Sequence, residues 1–314
     1  MTSLASTRAA KNSRGPSGYS HSGSRSARRS FLRALPLLPA LLLLLVFLLG
    51  PVIEAFVGSF TNMALTGAAA QNAEFVGFQN YIQLFQNPDF LNSVWLTILF
   101  VVGSAIIGQN ILGLILAMTM RASNALIRGV VGTLVITAWV LPEVVGAFCC
   151  YALFSNTGTI NAILSLVGVP GLDWLYATPM LAVILANVWR GTAFSMMMYS
   201  AAITEVPEEI TESAEIDGAS GWKRLIYITL PMIRRSISTN LMLTTLQTLS
   251  VFGLIYIMTA GGPGTASSTL PVLAYQEAFK FSQLGMGTAI AVVMLIIGAV
   301  FSIIYIRILK PEVD

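Results

Sequence analysis

Apolar residues occur in long runs along this chain, and short polar segments separate the runs. A helix that crosses a bilayer needs about 20 mostly apolar residues. Six segments meet that requirement and are predicted to span a membrane: 34–58, 93–119, 129–153, 179–203, 233–259 and 285–309. Gly, Pro, Asn and Asp in the connections are typical of turns. The pattern predicts an all-α polytopic membrane protein with six transmembrane helices.

The composition supports a membrane protein and gives no sign of a metal site. Of the 314 residues, 55% are hydrophobic and 10% are charged, whereas soluble domains carry roughly 25% charged residues. The two cysteines, Cys149 and Cys150, are adjacent within an apolar run, and the only histidine, His21, lies in a polar segment. This arrangement offers no cluster of cysteine and histidine ligands, so we expect no metal to bind.

Lys and Arg are distributed unevenly about the predicted spans. Seven of the 17 basic residues precede the first span, and residues 1–30 are rich in Ser, Gly and Arg. We expect these 30 residues to form a disordered tail, because such a composition buries little apolar surface. Placing the N-terminus inside leaves 15 basic residues on the cytoplasmic side and only Lys280 outside. The rule predicts a multi-pass protein with both termini in the cytoplasm.

Three regions follow from these spans. Basic residues followed by an apolar run also occur in secretory signal peptides, but this run continues beyond Pro51 to Phe60, so an uncleaved first span is predicted. The predicted regions are a tail at 1–30, the first transmembrane helix with an external interfacial segment at 31–90, and a core transmembrane domain at 91–310.

A charged segment, residues 205–231, interrupts the apolar pattern, and we name it the elbow. Six of the 14 acidic residues lie between Glu205 and Asp217. The glutamate spacing predicts a short helix, and Gly218 suits the left-handed backbone at that helix's end. A second short helix is predicted from 220 to about 228, with Pro231 separating it from the next span. The charges fit a merely solvated connection and a partner-binding surface equally well.

The elbow resembles the cytoplasmic loop of binding-protein-dependent ABC importer permeases. That loop has Glu-Ala-Ala, three residues, Gly, nine residues and Ile-x-Leu-Pro; here ESA at 212–214, Gly218 and ITLP at 228–231 stand at those spacings. The resemblance implies the type I ABC importer permease fold and a coupling helix that docks on a separate ATP-hydrolysing subunit. It assigns the coupling role to Glu212, Ala214, Asp217, Gly218 and Ala219.

Four further segments resemble the first permease subunit of the maltose-type carbohydrate-uptake branch. They are FVGFQNYIQLF at 75–85, LPEVVGAF at 141–148, GTIN at 158–161 and YIMTAGGPGTASSTL at 256–270. The resemblance covers about 34–309 and implies a non-catalytic permease of the bacterial plasma (inner) membrane. This permease is expected to form half of the pathway for a sugar or oligosaccharide. It also implies a second permease subunit, two ABC ATPase subunits that bind ATP and Mg²⁺, and an extracytoplasmic solute-binding protein or lipoprotein. We expect this chain itself to bind no cofactor and no nucleic acid.

Two alternatives stay open. Permeases for glycerol-3-phosphate or a glycerophosphodiester share these motifs. A secondary transporter or channel fits the composition, but it would show inverted repeats or a charged relay, and neither is evident in the sequence. The phosphate-binding pattern GxxxxGK[ST] is missing from the sequence, so ATP hydrolysis is expected to come from a partner.

Polar residues within the predicted spans are candidates for the substrate pathway. An ionisable group at the bilayer centre costs at least about 2.5–3.5 kcal/mol, so such groups usually face an interior or a pathway. The candidates are Glu143, Arg190, Trp189, Asn187, Gln247 and Gln109, together with Trp139 and Asn110. An ion pair between Glu143 and Arg190, or helix packing by any of these side chains, is the structural alternative. Glu143 also departs from the small or uncharged residue common at that position in the family.

Overall fold

The structure, a computed structural model, describes residues 38–309. The predicted tail at 1–30, the start of the first span at 34–37 and the basic residue Lys310 therefore lie outside the described residues. The chain divides into two units, one up to Ile53 and one from Glu54 onward. In the described part of the first unit the large side chains are apolar and exposed, as a lipid-facing helix requires.

Helices make up the described architecture. In chain order they are α1 Leu38–Gly58, α2 Ala68–Gln71, α3 Gln79–Gln86, α4 Pro88–Ala122, α5 Ala125–Val140, α6 Glu143–Phe154, α7 Thr159–Leu166, α8 Pro179–Thr204, α9 Glu208–Ile216, α10 at 221–232, α11 Arg234–Leu249, α12 Gly253–Thr259, α13 at 270–280 and α14 Leu284–Leu309. Within the described residues the only β pairing is an isolated bridge between Thr61 and Phe75. The all-α prediction is confirmed.

Within residues 38–309, five helical segments are long and apolar enough to cross a membrane: Leu38–Gly58, Pro88–Ala122, Glu143–Leu166, Pro179–Thr204 and Leu284–Arg307. The pair α11 and α12 makes a sixth if it is taken as one span, bent by 49° at the break between the two helices. The predicted fifth span at 233–259 therefore exists as a broken helix. The other predicted spans, apart from the third, match observed helices closely.

The predicted third span at 129–153 is wrong as a single helix. Leu141 and Pro142 are extended, with ψ of 136° and 139°, and they separate α5 from α6. The cause is local, because a proline disfavours the helical conformation of the residue before it. Glu143 consequently lies in the first turn of α6, not in the middle of a span.

Glycines bring α4 and α8 into close contact. A Cβ atom on Gly113 would lie 2.5 Å from Ser195 Cβ, and one on Gly108 would overlap Val188. A Cβ on Gly103 would lie 3.2 Å from Ile184. Small residues at these positions let two membrane helices approach closely without the hydrophobic driving force available in water. The α4–α8 pair is the central packing unit of the fold. Several residues of the polar cavity described below lie on these two helices.

A buried hydrogen-bond network ties α4 and α8 to α11. Asn240 Nδ2 donates to Asn110 Oδ1 (2.8 Å) and to Ser195 Oγ (2.9 Å), and the Tyr199 hydroxyl donates to Asn110 Oδ1. Thr244 lies beside Asn110 in the same network. Asn110, a sequence candidate for the substrate pathway, is thus a helix-packing residue.

Candidate functional site

The elbow folds as two helices joined by a glycine turn. Gly218 has φ of +80°, the left-handed conformation that the sequence predicts. The amide of Gly218 donates to Glu215 O (3.0 Å), and the amide of Ala219 donates to Ala214 O (2.9 Å). These two bonds form a Schellman motif, which satisfies the last carbonyl groups of α9. The motif fixes the direction in which the chain leaves Asp217.

An ion pair crosses the turn. Arg224 on α10 pairs with Glu215 on α9, and their side chains are 27% and 67% exposed. An exposed pair of this kind contributes about 0–1 kcal/mol, so it biases the angle between the two helices without fixing it. Glu212 is exposed and forms no ion pair with another described residue, which leaves its carboxylate free for a partner.

Large apolar side chains are exposed on the elbow. Ile216 is 87% exposed, Trp222 is 70% exposed and Tyr227 is 76% exposed. Of the apolar side chains Trp222, Leu225 and Ile226 on the second helix, only Leu225 is buried. Exposed apolar groups clustered beside charges mark protein or membrane interaction surfaces. The elbow therefore has the chemistry of a docking surface: acidic groups at its first helix and apolar groups at its turn and second helix.

Pro231 does not end the second helix, contrary to the sequence prediction. Helical structure continues from 221 to Met232, and a turn at Ile233 precedes α11. The segment 225–229 is a π-helix, in which the Leu230 amide donates to Leu225 O. This wider turn leaves room for the proline ring, which would otherwise clash with the carbonyl four residues earlier.

A polar cavity of about 250 Å³ lies between α4, α5, α6, α8 and α11. Six of the eight polar or aromatic span residues singled out from the sequence line it: Gln109, Trp139, Glu143, Asn187, Arg190 and Gln247. Trp189, by contrast, is not among the lining residues and is 43% exposed. The structure therefore brings together side chains that lie far apart in the sequence.

Glu143 faces a helix N-terminus across the cavity wall. Its Oε1 accepts a hydrogen bond from the amide of Leu254 (2.9 Å), in the first turn of α12. A Cβ atom on Gly253 would lie 3.0 Å from the same oxygen, so glycine permits this approach. Because Glu143 is itself in the first turn of α6, its carboxylate lies at the N-termini of two helices, where negative charge is stabilised.

Arg190 shares the cavity with Glu143 without forming an ion pair with it. Among the described residues, the one ion pair is that between Arg224 and Glu215. The Nε atom of Arg190 is buried and has no hydrogen-bond partner there. The ion-pair alternative for Glu143 and Arg190 is therefore wrong. This N–H therefore keeps the capacity to donate to an acceptor inside the cavity.

Gln109 and Asn187 combine cavity lining with packing. Gln109 Nε2 donates to Asn187 O (3.1 Å), and Asn187 Nδ2 donates to Ser104 Oγ (2.8 Å). A Cβ atom on Gly191 would overlap the Gln109 side chain, so this glycine creates the space that Gln109 occupies. Sequence reasoning missed Gly191. The sequence did contain a signal for it, because this glycine lies inside a predicted span and directly follows Arg190.

The break between α11 and α12 supplies the remaining wall. Gln247, Ser250 and Val251 line the cavity where the helical pair bends. Sequence reasoning missed Ser250 and Val251, because nothing in the apolar pattern of 233–259 predicts the bend.

Trp139, 42% exposed, packs against Phe194 with ring centroids 6.2 Å apart. Amides, hydroxyls, one carboxylate, one guanidinium and an indole together suit a small ligand rich in hydroxyl groups.

Comparison with known proteins identifies the family. Residues 109–313 match the family described as binding-protein-dependent transport system inner membrane component. The chain belongs to this family. The match includes the whole elbow and every residue that lines the polar cavity. The protein is therefore an inner-membrane permease subunit of an ABC importer, and its family members are transport subunits, not enzymes.

Relatives that match most of the chain are permeases of transport systems. The chain is 32% identical over 284 residues to the sulfoquinovosyl glycerol transport system permease protein SmoG of Agrobacterium fabrum, covering 90% of this chain and 91% of the relative. It is 31% identical over 288 residues to the trehalose/maltose transport system permease protein MalF of Thermococcus litoralis, covering 90% and 94%. The resemblance to sugar-uptake permeases predicted from the sequence is confirmed.

Solved structures show the same fold. A bacterial ABC transporter involved in the import of the acidic polysaccharide alginate has a chain that matches with a TM-score of 0.77 and 23% identity. The match covers 92% of this chain and 99% of that chain. An amino acid ABC transporter matches less closely, with a TM-score of 0.52 over 76% of this chain. The type I importer permease fold is confirmed.

Proposed function

We propose that this chain forms half of the translocation pathway of an ATP-driven importer for a sugar or oligosaccharide. The observation that carries the proposal is the elbow: a glycine-set helical turn with an unpaired glutamate and exposed apolar side chains, matching the family loop. The permeases for trehalose/maltose and for sulfoquinovosyl glycerol support a carbohydrate cargo.

The elbow is the proposed contact with a separate ATPase subunit. Glu212 supplies a charge for a basic partner group, and Gly218 sets the angle between α9 and α10. Ala214 and Ala219 contribute the carbonyl and amide of the turn, and Asp217 precedes the glycine. Since two short rigid helices joined by a fixed turn move as a body, movement of the ATPase subunit would pass into α8 and α11, which flank the elbow.

The membrane arrangement is part of the same proposal. Both termini and the elbow face the cytoplasm, as the Lys and Arg distribution predicts. A second permease subunit completes the pathway, two ABC ATPase subunits bind ATP and Mg²⁺, and an extracytoplasmic solute-binding protein delivers the cargo. The division into a tail at 1–30, a first transmembrane helix with an external segment at 31–90 and a core at 91–310 stays a prediction.

The polar cavity is the proposed cargo contact in this subunit. Glu143, Arg190, Asn187, Gln247 and Gln109 supply donors and acceptors for sugar hydroxyl groups. Trp139 takes the aromatic role instead of Trp189, which does not line the cavity. The cavity volume of about 250 Å³ is slightly below the range of about 300–1,000 Å³ typical of small-molecule sites, so it suits one sugar ring at a time.

A glycerol-3-phosphate importer is the second candidate. The sn-glycerol-3-phosphate permease UgpA of Pectobacterium atrosepticum is 29% identical over 296 residues, and Arg190 has a buried N–H without a partner. Glu143 opposes this candidate, because a carboxylate in the same small cavity repels a phosphate. The balance of one acid and one base favours a neutral hydroxylated cargo.

A two-part experiment tests the proposal. The complex purified from its native membrane is reconstituted with its solute-binding protein, and ATP-dependent uptake of maltose, trehalose and glycerol-3-phosphate is compared. We expect a neutral sugar to be transported and the phosphate ester to be excluded. In parallel, Glu212→Lys should weaken retention of the ATPase subunit in a pull-down, while Glu74→Lys, at an exposed glutamate outside the elbow, should leave it unchanged. Equal retention by both variants would contradict a docking role for Glu212.

A further inference from the structure

A second, larger cavity lies between α4, α5 and α8. Its volume is about 560 Å³, within the range of about 300–1,000 Å³ typical of small-molecule sites. It shares no lining residue with the polar cavity. Most of its wall is apolar or small, with Met120, Met196 and Ile203 among the apolar side chains. The proposed transport function gives it no role.

Two arginines stand at one end of this cavity. Arg121 Nη1 donates to Ile203 O (3.1 Å), while Arg128 donates from Nε to Met120 O (3.1 Å) and from Nη2 to Ser123 O (3.0 Å). These bonds hold the Arg121 guanidinium at the last turn of α8 and the Arg128 guanidinium beside the loop that joins α4 to α5. Since each guanidinium has five N–H groups, both keep donors for a ligand.

The charge at that end is unopposed within the cavity. None of the lining residues is acidic, and neither arginine forms an ion pair with another described residue. The N-terminus of α5 lies next to Arg128 and adds positive potential. Asn124 caps this N-terminus, because its Oδ1 accepts a hydrogen bond from the Ile127 amide (2.9 Å). A positively charged end and an apolar wall together select a ligand with one anionic end and one apolar end.

We propose that this cavity binds an anionic phospholipid of the surrounding bilayer. Arg121 and Arg128 take the phosphate, because the guanidinium fork matches phosphate oxygens. The first part of an acyl chain lies along Met120, Met196 and Ile203, and methionine side chains adapt to such a flexible apolar ligand. Basic pockets between membrane helices recognise anionic headgroups in this way. A free anion would use the arginines alone and leave the apolar wall uncovered.

The chain offers a variant that fills the cavity without disturbing its walls. Gly129 lines the cavity, and a Cβ atom added there would meet no atom within 4 Å. Gly132, one turn later, differs, because its Cβ would lie 3.0 Å from Met120 Cε. Gly129→Leu should therefore place its side chain in the open space that the lipid occupies, with little strain on the fold.

Native mass spectrometry of the full chain tests the proposal. The protein is extracted from nanodiscs that contain equal amounts of phosphatidylglycerol and phosphatidylcholine, and the retained lipids are measured. We expect preferential retention of phosphatidylglycerol. The double variant Arg121→Gln/Arg128→Gln should lower that retention about thirtyfold, from about 1 kcal/mol per basic residue. Gly129→Leu should lower it as well, and added inorganic phosphate should not displace the lipid.

Matched controls separate this site from general surface charge. Arg235→Gln/Arg307→Gln removes the same charge from exposed positions outside the cavity, and Val130→Leu adds bulk beside Gly129 outside it. Both controls should retain phosphatidylglycerol normally. Equal losses in the control and cavity variants, or equal retention of the two lipids, would overturn the proposal. It would also be overturned if Gly129→Leu disrupted assembly with other subunits and left lipid retention unchanged, because the cavity would then be a subunit interface.

Discussion

The elbow and the polar cavity use charged residues in opposite ways. The elbow is contiguous in sequence, its hydrogen bonds join residues at most nine positions apart, and most of its charged and large apolar groups are exposed. The cavity combines side chains from positions 109 to 251, and its bond between Glu143 and Leu254 joins residues 111 positions apart. One region presents groups to a partner, and the other encloses groups around a small space. A substitution in the elbow should therefore affect coupling, whereas one in the cavity should affect stability and cargo.

The largest effect is expected at Gly218. Gly218→Val should leave membrane insertion intact and reduce uptake to near background, because the left-handed backbone disfavours an ordinary residue by roughly 1–2 kcal/mol and a β-branched residue by more. No atom lies within 4 Å of a Cβ added there, so the strain is conformational and not steric. Uptake and ATP hydrolysis are measured in reconstituted vesicles.

The matched control is Gly221→Val, in the same elbow. A Cβ at Gly221 also meets no atom within 4 Å, but its φ is not in the left-handed region. Only a helix-propensity penalty is then expected, and uptake should be nearly normal. Normal uptake by Gly218→Val would show that the turn geometry has no part in coupling.

The next effect is expected at Glu143 in the cavity. Glu143→Ala should lower the free energy of unfolding by about 1.5–3 kcal/mol, because it removes a charged acceptor from the Leu254 amide. Glu143→Gln retains an acceptor oxygen and should lose less. Thermal unfolding in detergent measures both variants. If alanine and glutamine were equally well tolerated, the hydrogen bond would not support the wall of the cavity.

A comparable or smaller effect is expected at Gly191. Gly191→Ala should displace Gln109 from Asn187 O and cost about 1–3 kcal/mol through overpacking. Gly146→Ala is the control, because its Cβ would lie at ordinary contact distances of 3.8 Å and 3.9 Å from Trp189 and Arg190. Adding Gln109→Ala to Gly191→Ala should recover part of the lost stability. An additive double variant would mean that the two residues do not interact.

The smallest effect is expected for the ion pair of the elbow. Glu215→Gln should change the free energy of unfolding by at most about 1 kcal/mol, because the pair with Arg224 is exposed to solvent. High salt should reduce even that difference. A loss as large as that of Glu143→Ala would remove the contrast between the exposed and the enclosed region.

Sequence reasoning performs best where structure is set locally. The elbow follows from the Glu spacing, from Gly218 and from the motif positions, and the Schellman bonds of Gly218 and Ala219 confirm the turn. The spans follow from apolar length alone. The break at Pro142 had a local signal, a proline inside the third apolar run, but the length of that run concealed it.

The remainder depends on contacts that one sequence does not display. The bend between α11 and α12 occurs without a proline, and the amide of Leu254 finds its acceptor on a distant helix. The continuation of α10 through Pro231 needs a π-helical turn, and no residue pattern in the sequence predicts that turn. Six of the eight polar or aromatic span residues line the polar cavity, yet whether Asn110 packs helices or lines the cavity was decided by tertiary packing.

Cross-linking at Ile216 tests the central claim most directly. Ile216→Cys is made in a Cys149→Ala/Cys150→Ala background, since Cys149 is exposed. With a short bifunctional reagent in native membranes, we predict a covalent product between this chain and its ATPase subunit, and we predict that ATP changes its yield. A Cys at the exposed Phe75 should give no such product. Cross-linking from Phe75 but not from Ile216 would contradict the account.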